Sequence, residues 1–140
     1  MNKPKVYVAA RAKYRADEVE EIQKRLSESG YEAISDWTAV VKKIKRPYRD
    51  SQNRKANVRL QAQMLQNAKT ADVFILLDDE GLRGAYVELG AFLTDCLDSS
   101  QNRRAYIVGP NSHTREFVFE SPEYVKFCDD IEEVYKDLQS

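Results

Sequence analysis

Cysteine is scarce, with two in 140 residues, and the two are badly placed for metal. Cys96 and Cys128 stand in apolar surroundings with neither CxxC nor zinc-ligand spacing, so they read as buried free thiols of a reducing compartment. No apolar run is long enough for a signal peptide or a membrane span, and Asn2, Lys3 and Pro4 open the chain in polar fashion, so a cytoplasmic protein with no membrane partner is expected. Charge of one sign is missing too. A net charge of −1 argues against a general polyanion binder, and nucleic acid polymers are not expected partners. There is no P-loop, dinucleotide glycine fingerprint, HExxH or GxSxG, which removes support for Walker-type phosphoryl transfer, classical Rossmann redox chemistry and serine hydrolysis. Repeats, low-complexity tracts and domain boundaries are also absent, so residues 1–140 form one domain with a single core.

What is present centres on Thr70 to Gly90, TADVFILLDDEGLRGAYVELG. Five apolar residues, Val73 to Leu77, read as a strand buried on both faces, and Gly81 and Gly84 mark a sharp reversal into a helix. Open α/β sheets bind ligands at the carboxyl ends of their strands, and this turn sits at such an end. Glu88 then lines the crevice from the first turn of its helix. There the unpaired amides and the helix dipole favour the ionised carboxylate, as suits a group that attacks as an anion. The same preference also places glutamates in first turns that do no chemistry.

Around this stretch the chain alternates strands and helices. KVYVAA, Lys5 to Ala10, is the first strand. A helix follows from Asp17 through Val19, Ile22 and Leu26 until Gly30 stops it, and a second strand runs from Tyr31 to Ser35. The β-α-β order implies a parallel sheet that brings Tyr7, Ala9, Ala10 and Arg11 toward Glu88. Between Trp37 and Arg59 lies a polar connection with eight Lys or Arg residues from Lys42 onward, broken by Pro47 and Asn53. It reads either as a phosphate cradle or as a solvated loop. A helix resumes from about Ala56 to Lys69 with Leu60, Met64, Leu65 and Ala68 packing on the sheet, Met64 as core filler. The helix after Gly84 has a wide apolar face of Leu89, Phe92, Leu93, Cys96 and Leu97, broad enough to serve a partner subunit as well as the core. A fourth strand, Ala105 to Val108, opens a loop from Asn111 to Glu116 with His113. A fifth around Tyr124 to Phe127 and a helix from Asp129 to Leu138 complete a flavodoxin-like or Rossmann-like three-layer α/β sandwich on five parallel strands.

Carboxylates gather near the third strand: Asp72, Asp78, Asp79, Glu80 and Glu88. Paired carboxylates are the usual apparatus for breaking a glycosidic bond. Asp72, however, begins the strand at the end opposite Glu88, where a cap for the preceding helix is the plainer reading.

KVYVAA, the helix ending in SGYEAI, NAKTADVFILLDD and above all GAYVELGAFL resemble the nucleoside 2-deoxyribosyltransferase family and its nucleotide N-glycosidase relatives, from Lys5 to Leu97 and less firmly beyond. The resemblance implies that Glu88, in G-x-x-x-E-L-G from Gly84 to Gly90, is the nucleophile on the anomeric carbon. It also implies that Tyr7 positions that glutamate, that Asp72 belongs to the catalytic group, and that neither metal nor organic cofactor takes part. It further implies a homodimer or higher homo-oligomer, in which a neighbouring subunit completes the pocket with a polar residue after the fourth strand, Asn111, Ser112 or His113. Ala9, Arg11, Arg83 and Gly84 are the remaining substrate-binding candidates. Typical transferases have an acidic residue and a small hydroxyl before the glutamate, where this chain has Leu82, Arg83 and Ala85. Arg83 with Arg11, Lys13 and the basic loop suits a phosphate-bearing nucleotide better than a neutral nucleoside. The activity expected is cleavage or transfer at the N-glycosidic bond of a nucleoside or nucleotide, a 2-deoxy one in the first instance, through a glycosyl-enzyme intermediate on Glu88. Two alternatives stand beside it: a TIR-like NAD glycohydrolase, and a nucleotide-binding module without turnover.

Overall fold

The computed structural model describes residues 3–34, 50–79, 82, 84–99, 102–109 and 124–140. Its elements are β1 (Lys5–Ala9), α1 (Ala12–Glu28), β2 (Glu32–Ala33), α2 (Ser51–Thr70), β3 (Val73–Leu77), α3 (Gly84–Leu97), β4 (Arg104–Val108), β5 (Val125–Cys128) and α4 (Ile131–Gln139). The strands form one parallel sheet in the order β2-β1-β3-β4-β5. That is the flavodoxin-like doubly wound order, whose switch point lies between β1 and β3. The expected α/β class and five-stranded parallel sheet are therefore what the chain adopts.

The central strand explains why. Every residue of Val73–Leu77 is buried, which requires helices on both faces and gives each large side chain about 1.5–3 kcal/mol relative to exposure. Alternation then assigns the faces. Tyr7 is opposite Phe74 in the register and stacks on it at 5.5 Å, and Phe74 meets Phe92 of α3 at 5.4 Å. On the other face the Tyr106 hydroxyl donates to Asp137 of α4. Helix α1 shares that second face, with Arg25 paired to Glu132 at 3.0 Å and the Tyr31 hydroxyl donating to the Leu138 carbonyl. Asp137 also takes Arg104 at 2.9 Å and Lys126 at 2.8 Å. Lys126 foremost, then Tyr106 and Arg104, holds its carboxyl down to about 2, so this staple between α4 and the sheet persists to strongly acidic pH.

Helix ends follow local rules. After α1 the Tyr31 amide donates to the Leu26 carbonyl and the Gly30 amide to that of Ser27. This is a Schellman closure that needs the positive φ of Gly30, +95°. Helix α2 begins at Ser51, five residues before the predicted start, and so takes in Asn53 rather than breaking there. The Asp50 side chain accepts the Asn53 amide at 3.4 Å and its carbonyl accepts that of Arg54, so Asn53 sits in a first turn whose amides need no ladder partner. The second strand is two residues, Glu32–Ala33, and β5 is shifted by one residue to Val125–Cys128. Cys96 and Cys128 are both buried free thiols. Among the described residues no helix is long and apolar enough to cross a membrane.

Candidate active site

Glu88 and Tyr7 come together although 81 residues separate them: the Tyr7 hydroxyl donates to Glu88 Oε2. Tyr7 reaches it from within the sheet. Its ring is 1% exposed and clamped against Phe74, so the hydroxyl is a fixed donor. Glu88 approaches from α3, whose Ala85, Leu89, Phe92 and Cys96 bury toward the sheet.

The helix starts at Gly84, which puts Glu88 at its fifth residue and leaves no acidic residue in the first turn. The dipole falls off within that turn, so the expected favouring of the ionised form is lost. Burial decides instead. Desolvation pushes the Glu88 carboxyl from an ordinary 4.5 up to about 7, and the Tyr7 hydrogen bond offsets only part of that rise. Near neutral pH the group exists in both forms, and its anion is short of solvent, which makes it basic and nucleophilic.

A cleft of about 580 Å³ opens beside this carboxylate, lined by Val58, Gln61, Ala62, Met64 and Leu65 of α2 and by Gly84, Val87 and Glu88 of α3. Its size and mainly apolar walls are those of a small-molecule site. Of these residues the sequence singled out Gly84 and Glu88 for the site. Helical spacing puts Met64 and Leu65 in the core, yet Leu65 is 37% exposed and both line the cleft. A second groove of about 260 Å³ runs along Arg54, Lys55, Val58 and Arg59, and it shares Val58 with the first.

The other candidates are distributed as follows. Asp72 stays at the opposite end of β3, where its Oδ2 accepts the Lys5 amide at 2.7 Å. It joins the starts of β1 and β3, so both its place in the catalytic group and its reading as a helix cap are corrected. Five strand residues at about 3.3 Å each separate it from the crevice end of β3. Ala9 is the buried last residue of β1, opposite Leu76. Arg11 precedes α1 and faces Asp79 at 3.8 Å, which offsets its charge. Arg83, Asn111, Ser112 and His113, together with most of the basic connection, lie outside the described residues. Among the described residues no group of three His, Cys, Asp or Glu side chains is placed to hold a metal ion.

The sequence matches no family model and no curated protein. Among solved structures the chain is similar in fold to the CMP N-glycosidase BcmB of Clostridium botulinum. The TM-score is 0.55 at 16% sequence identity, and the alignment covers 96% of this chain and 98% of that one.

Proposed function

We propose that this chain is an enzyme that cleaves or transfers at the N-glycosidic bond of a nucleoside or nucleotide, with Glu88 as the nucleophile. The observation that carries the reading is a desolvated carboxylate, held by a buried tyrosine hydroxyl, in a mainly apolar cleft between α2 and α3. In the proposed step a Glu88 oxygen forms a bond to C1′ as the C1′–N bond breaks. The electron pair leaves with the base, which takes up a proton, and the glycosyl-enzyme then passes its sugar to water or to another base. Tyr7, as a hydrogen-bond donor, steadies the ionised carboxylate before attack and after release. The similarity in fold to a CMP N-glycosidase supports the same class of reaction.

A nucleotide is favoured over a nucleoside as substrate. Arg54, Lys55 and Arg59 are exposed cations around an apolar-walled groove that meets the cleft at Val58, so a 5′-phosphate paired with one of them would have its sugar near the cleft. One such ion pair is worth about 1 kcal/mol in water and more where the site is partly dry. Calorimetry should therefore give tighter binding for a deoxynucleoside monophosphate than for its nucleoside, with an advantage that shrinks as salt is raised. Equal affinity and no salt dependence would return the substrate to nucleosides. A parallel panel with and without a second base separates hydrolysis from transfer, and nicotinamide release from NAD marks the glycohydrolase alternative.

The proposed enzyme is a homo-oligomer. Val87 and Leu97 of α3 are 63% and 72% exposed, and Val58 beside the cleft is 56% exposed, an apolar display that a second copy would cover. Light scattering at micromolar concentration should give at least a dimer, and a monomer there removes this part of the reading.

A further inference from the structure

Helix α3 carries the proposed nucleophile, and each of its ends is fixed to the sheet. In its second half Asp95 pairs with Arg103 at 2.6 Å. Arg103 is itself buried, with its guanidinium over Phe92 and donating to the carbonyls of Lys69 and Ala71. At the start of the helix the Tyr86 hydroxyl donates to Asp78 Oδ1 at 3.2 Å.

Asp78 is a firm post. It follows the last residue of β3, its amide donates to the Val108 carbonyl at 2.9 Å, and its Oδ1 also accepts the Asp79 amide. Arg15 reaches its carbonyl at 3.5 Å. Gly109, at a φ of +154°, lies beside it, where a Cβ would be in ordinary contact at 3.6 Å from Asp78 Cβ.

Tyr86 and Glu88 are two residues apart, so they leave the helix about 200° apart, on opposite flanks of the buried stripe. Turning α3 about its axis cannot move one without the other. Tyr7 cannot follow such a turn, because its ring is locked in the core. We propose that Tyr86 and Asp78 are a positioning pair that sets the rotation of α3 and so holds Glu88 against the Tyr7 hydroxyl. The proposal rests on Glu88 being the working carboxylate, and neither Tyr86 nor Asp78 touches the reacting atoms in it.

The test follows the Glu88 side-chain carboxyl by carbon-13 NMR across pH, alongside steady-state kinetics on a cleaved nucleotide. Because the Tyr7 hydrogen bond holds this carboxyl down, Tyr86→Phe should raise its midpoint by about half a pH unit, toward that of Tyr7→Phe. It should lower kcat about tenfold while KM stays within about twofold. The double variant should titrate like Tyr7→Phe alone, since both act through one contact. Asp78→Asn keeps an acceptor and should lie nearer wild type than Asp78→Ala in both readouts. A Glu88 midpoint unmoved in Tyr86→Phe, or effects of Tyr86→Phe and Tyr7→Phe that simply add, overturns the pair. The titration needs no substrate. If wild-type protein releases no base from any nucleoside or nucleotide, the functional reading fails while the midpoints still decide the positioning role.

Discussion

Glu88→Gln should lower the rate of glycosidic cleavage by more than about a hundredfold while leaving the fold intact. Gln keeps the side-chain volume and an oxygen for the Tyr7 hydroxyl, so α3 retains its seat on the sheet. What it loses is the charge, and an amide oxygen is a poor nucleophile toward C1′. Removing a covalent catalyst costs more than roughly 3 kcal/mol of transition-state stabilisation, which is the hundredfold. Base release measured by chromatography on wild type and variant, with far-UV circular dichroism of both, is the check. A variant keeping more than about a hundredth of the wild-type rate would remove Glu88 from the nucleophile role and leave the cleft as a binding site.

The frame of this site was legible in the sequence because burial writes itself plainly into strands. VFILL, a short apolar run bounded by turn residues, reads as a strand covered on both sides, and KVYVA beside it puts Tyr7 inside the sheet. The glycines after β3 then place a helix, with Glu88 on it, over the same strand ends. The wall of the cleft was harder to read. Val58, Ala62 and Leu65 lie on a helix whose polar and apolar positions are mixed, and Leu65 follows the spacing of a core residue although it faces the cleft. Only the packing of α2 against α3 makes that distinction, and a single helix does not encode its neighbour's position. Asp72 was misread for a related reason: its carboxylate serves a backbone amide 67 residues away, a partner that exists only once β1 and β3 are paired. The pairing of Tyr86 with Asp78 likewise depends on how the turn after β3 closes, and neither residue type stands out in its stretch.

Burial, and not the helix terminus that the sequence suggests, sets the ionisation of Glu88. A helix terminus lowers a carboxyl by about 0.3–1 kcal/mol and only within its first turn. Burial acts in the opposite direction and is the larger effect here, carrying the group from 4.5 to about 7. The outcome is a base and nucleophile poised near neutral pH, where the proposed chemistry needs the anion. The rate of cleavage at low substrate should accordingly rise as pH increases through about 7.

The same burial makes Glu88 a burden on the fold at high pH, and Glu88→Gln should relieve it. With the folded value raised above the unfolded one, the native state binds the proton more tightly. Below about 4.5 both states are protonated and nothing is lost. As pH climbs from there to about 7, the unfolded chain gives up the proton first and native stability declines, levelling off once the folded carboxyl has ionised as well. The full difference is on the order of 3 kcal/mol. Urea unfolding at pH 8.5 should therefore find Glu88→Gln more stable than wild type by about 2–3 kcal/mol, with unchanged m. At pH 4 the two proteins should agree within about 0.5 kcal/mol, since a neutral acid and a neutral amide then occupy the same place. This gain would accompany the loss of activity in the same variant, as expected where a site keeps a strained charge for its chemistry. A variant equally stable or less stable than wild type at pH 8.5 would mean that water reaches the Glu88 carboxylate in solution, and the proposed activation by desolvation would go with it.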